Sequence, residues 1–174
     1  MYDVVKIIPP DLIQEVVEYG DTARLYRTGV TAKGKDLYDP SMRKTMAVRI
    51  DPRLFPEVVD IIETHINDGT SVNQFDFLIY QPGDYFKPHK DTFRESRLED
   101  YRIWSTVTML DKSDDLEGGA LHIDGCDPIN LDIGETVIFK SDLVHEAQQV
   151  ICGTRKVLVA WLGLHKFNDI NIVD

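Results

Sequence analysis

The second half of the chain sets the tightest limit on the fold. From Phe75 onward, short β-prone runs alternate with Gly, Asp and Pro turns. The runs cover 75–80, 103–110, 120–123, 136–139, 149–151 and 155–164. Strands this short and this regularly interrupted close into a sandwich or jelly roll. The first third reads differently. Leu12, Ile13, Val16 and Val17 recur with helical spacing after Asp11, a candidate N-cap. Pro56 opens a second helix whose core face is Val58, Val59, Ile61, Ile62 and Ile66. Strands are expected at 4–8 and 46–50, and loops at 28–44 and 92–102. The expected fold is mainly β with flanking helices (α+β). A helical support, about 1–70, buttresses a β core, about 71–165, in one domain spanning 1–174.

The chemistry concentrates in Tyr80-Gln-Pro-Gly-Asp-Tyr-Phe-Lys-Pro-His89-Lys-Asp91, directly after the first core strand. On an extended chain, His89 and Asp91 point to the same side. Two such ligands and a second histidine make a two-His-one-carboxylate metal site with open positions. His122 also begins a His-x-Asp, but it lies close in sequence to His145 for ligands on opposite sheets. His89 is farther away, with room for intervening strands, and follows a Pro-Gly turn of the kind that opens a site to solvent. The expected metal ligands are therefore His89, Asp91 and His145. His122 reads as a surface or hydrogen-bonded strand histidine, His65 as a helix-end residue, and His165 carries no signal.

Beyond His145, Gly153 allows a hairpin that returns the chain antiparallel. Arg155 would then lie roughly 10 Å from His145 along the strands. A planar guanidinium there suits the far carboxylate of a small diacid chelated to the metal at its other end. Alternation puts Val157, Val159 and Trp161 on the Arg155 face, an apolar wall for the same pocket.

Charge and cysteine content narrow the partners. With a net charge of −11 and no basic run, no nucleic-acid footprint is expected. Two cysteines form no disulfide framework, and neither a signal peptide nor a membrane-length apolar run is evident. The expectation is a cytoplasmic protein without a membrane partner.

In this order, Tyr80, His89-x-Asp91, Gly118-Gly119, Gly134 to Phe139, His145, Arg155 and Trp161 resemble the iron(II)- and 2-oxoglutarate-dependent dioxygenases, in their prolyl 4-hydroxylase-like branch. The resemblance covers about residues 75–164. It implies a double-stranded β-helix core, cupin-like in its architecture. It implies Fe(II) on His89, Asp91 and His145, with 2-oxoglutarate and dioxygen as cosubstrates and ascorbate as an optional accessory reductant. It places Arg155, a lysine in many relatives, on the distal carboxylate of 2-oxoglutarate. Tyr80 is implied as a second contact, with Thr106 or Thr108 as an undecided third. Trp161 and Phe86 fall at substrate-facing positions. Phe86 replaces a tyrosine and Gly163 a histidine found in some relatives.

The activity this implies is hydroxylation of a prolyl residue in a peptide or protein, with succinate and carbon dioxide as coproducts. Two other readings stay open: the same chemistry on a free amino acid or small metabolite, and a cupin-like metal- or ligand-binding module without turnover. Arg155 speaks against the last, since a plain binding module needs no diacid grip. A zinc hydrolase would need a general base beside the metal, and none is evident.

Overall fold

A computed structural model describes residues 2–27, 30–32, 35–37, 39–92 and 102–164 of the 174-residue chain. The N-terminal part runs β1 (Tyr2–Val5), α1 (Pro10–Thr22), β2 (Tyr26–Arg27), β3 (Val30–Ala32), β4 (Lys35–Leu37), β5 (Arg43–Lys44) and β6 (Met46–Ile50). A 3-10 turn (Pro52–Leu54) and α2 (Pro56–Ile66) follow. The remainder is strand: β7 (Ser71–Tyr80), β8 (Tyr85–His89), β9 (Trp104–Lys112), β10 (Glu117–Gly118) and β11 (Leu121–Ile123). It ends with β12 (Thr136–Lys140), β13 (His145–Ala147), β14 (Val150–Cys152) and β15 (Arg155–Gly163).

Two sheets form the jelly roll. The larger has the order β1-β12-β9-β15-β7-β6-β2, and the smaller β11-β13-β8-β5. Every pairing within them is antiparallel. The strand β15 is central because residues 157–162 are all buried, so both of its faces need cover. Leu158, Ala160 and Leu162 pack with Phe75 and Phe77 against Leu12, Val16, Val58 and Ile62 of the helices. Val157, Val159 and Trp161 turn the other way and meet Leu121, Ile123 and Ala147 of the smaller sheet. One sheet thus serves two cores, and strand alternation sorts its residues between them.

Several local readings change. The first strand is Tyr2–Val5 rather than 4–8, because its backbone pairs with β12 before Pro9 and Pro10 end it. Asp11 is not the N-cap of α1: Pro9 holds that position without a side-chain bond, and Pro10 starts the helix. Asp11 instead sits in the first turn, where a carboxylate suits the helix dipole. The span 28–44 contains β3, β4 and β5 rather than one long loop. The strand β8 escapes the alternation pattern because Lys87 and Pro88 interrupt its apolar residues. Gly153 makes no hairpin. The strand β14 pairs with β10 while β15 enters the larger sheet between β7 and β9, so the turn carries the chain from one layer to the other. Residues 93–101 of the expected 92–102 loop, and His165, lie outside the described residues. No helix among the described residues is long and apolar enough to cross a membrane.

Helix α1 meets the sheet closely enough to reverse an ordinary rule. Gly20 is buried in the helix, and a Cβ built there would come 2.6 Å from the Phe77 ring. Replacing a helical glycine by alanine usually stabilises by about 0.5–1 kcal/mol. Here the fully buried ring has no room to withdraw. Gly20→Ala is expected to destabilise by about 1–3 kcal/mol, read as a lower urea midpoint.

Candidate metal centre and cosubstrate pocket

His89 ends β8 and His145 begins β13, and the two are direct cross-strand partners. Their rings lie 4.3 Å apart between centroids. Asp91 follows two residues after His89, and its N–H donates to the Ser141 carbonyl at 2.9 Å. Among the described residues these three form the one cluster of potential ligands, with the chosen atoms all within 4.8 Å of one another.

The tautomers are set from behind. His89 Nδ1 lies 2.8 Å from the Lys87 carbonyl and His145 Nδ1 lies 2.9 Å from the Leu143 carbonyl. A carbonyl only accepts, so each neutral ring carries its proton on Nδ1 and leaves the Nε2 lone pair free. Each Nε2 stands 3.5 Å from an Asp91 oxygen. Ser105 Oγ donates to Asp91 Oδ2 at 2.6 Å and lies 2.8 Å from Ser141 Oγ, which fixes the carboxylate from the far side. Burial alone would raise the Asp91 pKa. The neighbouring His89 and His145 imidazoles and the Arg102 charge outweigh it and hold the carboxyl well below the ordinary carboxylate range. Burial pushes the His145 imidazole below its ordinary value, against the pull of Asp91. Both directions keep the donor atoms in their metal-binding forms.

The cluster opens into a narrow cavity of about 40 Å³ between the two sheets. Its far wall is Arg155, buried and directly opposite Tyr80 across β15 and β7. The guanidinium lies 4.6 Å over the Tyr80 ring, and its Nε has no hydrogen-bond partner. Burial lowers the Arg155 pKa, with Tyr80 partly opposing the shift. Gly119, at φ +69°, lies beside this side chain; a Cβ there would come 2.9 Å from Val150 Cγ2 and 3.4 Å from Arg155 Cδ. A buried cation with an unpaired Nε, facing a three-ligand cluster across a narrow apolar cavity, fits an anion that also reaches a metal. Val157, Val159 and Trp161 line the cavity between them, as alternation predicts.

Two expected contacts are displaced. Thr106 and Thr108 alternate with Val107 and Met109, and it is the latter pair that joins the core between the sheets. The threonines face the helix side, where Thr108 Oγ1 lies 2.8 Å from Thr136 Oγ1. Neither lines the cavity. Phe86 does, but its ring lies flat on His89, 3.4 Å between centroids and 14° between planes. His122 points outward toward Glu146, with 3.3 Å between Nδ1 and Oε1. His65 is exposed in the last turn of α2. Sequence reasoning missed Ser105, Arg43 and Arg102. Arg43 lines the cavity, and Arg102 lies 4.1 Å over the Trp161 ring. Of these, only Ser105 carries a signal, the shared parity with Val107 and Met109 on β9.

Residues 75–163 match the 2OG-Fe(II) oxygenase superfamily. That match spans half of the chain, from within β7 to the end of β15, and the chain belongs to this superfamily. Its cofactor and cosubstrates are accordingly Fe(II), 2-oxoglutarate and dioxygen, and the His89, Asp91 and His145 donors fit the metal. No curated protein sequence matches the chain. Among solved structures, a Pseudomonas putida prolyl-4-hydroxylase is 21% identical with a TM-score of 0.69, over 94% of this chain and 92% of that one. The viral collagen prolyl hydroxylase of Paramecium Bursaria Chlorella virus-1, in a 2-oxoglutarate complex, is 16% identical with a TM-score of 0.70, over 92% and 94%. A Trichoplax adhaerens prolyl hydroxylase, in complex with a hypoxia inducible factor peptide fragment, is 13% identical with a TM-score of 0.67, over 93% and 83%. At these identities the likeness is one of fold.

Ser105 reaches the metal only through Asp91. Ser105→Ala is expected to keep the fold and weaken Co(II) binding, a spectroscopic stand-in for Fe(II), by about 10–100-fold in a visible-absorption titration.

Proposed function

We propose that the protein hydroxylates a C–H bond of a prolyl residue in a peptide or protein, converting 2-oxoglutarate and dioxygen to succinate and carbon dioxide. One oxygen atom enters the new hydroxyl and the other enters succinate. The observation that carries the reading is the facing of Arg155 and the His89, Asp91, His145 cluster across one apolar cavity. The prolyl residue is favoured by the fold shared with the Pseudomonas and viral prolyl hydroxylases.

Iron, when bound with its cosubstrates, supplies the oxidising chemistry. The chain supplies position and dryness. In this reading His89, Asp91 and His145 would hold the iron as a two-His-one-carboxylate set. Arg155 grips the distal carboxylate of 2-oxoglutarate with its planar fork, and Tyr80 holds the guanidinium from beneath. Val157, Val159 and Trp161 keep water from the reacting carbon. Trp161 and Phe86 stand where the substrate would enter, and Phe86 also holds the His89 ring plane.

The reading is tested by incubating the Fe(II) protein with 2-oxoglutarate, dioxygen and proline-rich peptides. Peptide-stimulated succinate and a peptide gaining one oxygen on proline are expected. Succinate without peptide oxidation would sink the prolyl assignment and keep the oxygenase. Arg155→Ala removes two charge-assisted hydrogen bonds, about 3 kcal/mol together. The 2-oxoglutarate KM is therefore expected to rise about a hundredfold. Asp91→Ala is expected to abolish turnover in the same succinate assay.

A further inference from the structure

The cavity contains a second arginine that the chemistry above does not use. Arg43 lies on β5 directly opposite Phe86 of β8. It is 8% exposed, and its buried Nε has no hydrogen-bond partner. The guanidinium lies 4.5 Å from the centroid of the Phe86 ring, which itself lies 3.4 Å from that of His89. Cation, phenyl ring and metal-ligating imidazole therefore form one stack. Arg43 ends that stack and lines the cavity together with Asp91, Arg155 and Trp161.

Three cations on β5, β6 and β15 have carboxylate partners. Arg49 bonds Asp76, Lys44 pairs with Asp84, and Lys156 pairs with Asp21 and Asp111. Among the described residues, no carboxylate lies within ion-pair range of Arg43. The Phe86 face attracts a cation but does not neutralise it. A buried charge left without a counter-charge is costly, so the site is built for an anion that arrives from outside.

Charge counting indicates which anion. The charged side chains lining the cavity are Asp91, Arg155 and Arg43, apart from the two neutral imidazoles. Fe(II) adds two positive charges and 2-oxoglutarate two negative ones. One positive charge remains, and it belongs to Arg43, since Arg155 faces the cosubstrate end. The remaining guest in the cavity is the molecule to be oxidised. Leu78, Val107 and Leu121 make the rest of the lining apolar, which suits a small hydrocarbon body carrying one anionic group.

From this arrangement, we infer that Arg43 is a specificity-determining residue that binds a carboxylate on the oxidised substrate. The carboxylate is either that of a free amino or carboxylic acid, or an acidic side chain beside the oxidised residue of a peptide. The inference rests on the oxygenase reading of this cavity.

The test is anaerobic calorimetry of the Fe(II)–2-oxoglutarate protein with matched acids and amides. L-proline is compared with L-prolinamide, and a Glu-Pro peptide with its Gln-Pro counterpart. In at least one pair the acid is expected to bind about ten- to a hundredfold more tightly, the worth of one charge-assisted contact. The preference is expected to vanish in Arg43→Gln, with 2-oxoglutarate affinity unchanged as the check on folding. Arg43→Lys keeps the charge without the planar fork and is expected to fall between the two. Preference in the first pair identifies a free acid, and in the second an acidic peptide. No acid preference in any wild-type pair overturns the inference, as does a preference that survives Arg43→Gln. Product mass spectrometry separates the two readings. Acid preference without proline oxidation keeps the carboxylate site and sinks the prolyl assignment; proline oxidation without acid preference does the reverse.

Discussion

The register between β8 and β13 is the constraint on which the site depends. It sets His89 opposite His145, and a slip of one residue on either strand would turn one imidazole to the outer face. The register is held by apolar neighbours rather than by the histidines. Leu121 and Ala147 sit on the inner face of the same small sheet and pack against Val107, Val157 and Val159 of the large one. Burial of those side chains, at roughly 25 cal/mol per Å² of apolar area, is what orients the ligands. The donors then need only local fixing, which the Lys87 and Leu143 carbonyls and the Ser105 hydroxyl provide.

The sequence was informative where chemistry coincided with strand geometry. The His89 and Asp91 pair was legible because two residues along an extended chain return to the same side. Arg155 and its wall of Val157, Val159 and Trp161 were legible for the same reason. The expected route to Arg155 was wrong, yet its placement survived. The Gly153 turn changes layers instead of folding back, and Arg155 reaches the pocket from the opposite sheet.

Other parts were hidden for identifiable reasons. The strand β9 has apolar residues on both parities, Val107 and Met109 on one and Leu110 on the other, so its pattern could not say which face the threonines share. Thr106 and Thr108 fell on the helix side and Ser105 on the ligand side. Arg43 belongs to a two-residue strand within a polar stretch that reads as loop. Its importance comes from partners distant in sequence, Phe86 and His89, and no local spacing reports such a meeting. The N-cap failed because two prolines start α1 through backbone geometry alone, without a side-chain oxygen.

The alternation along β15 has a consequence for diversification of this enzyme. Positions 155, 157, 159 and 161 look into the cavity, while 158, 160 and 162 are committed to the helices. Inherited or engineered variation confined to the first set can remodel the catalytic chamber while leaving the scaffold interface intact. A single nine-residue strand thus separates evolvability from foldability by the parity of its side chains.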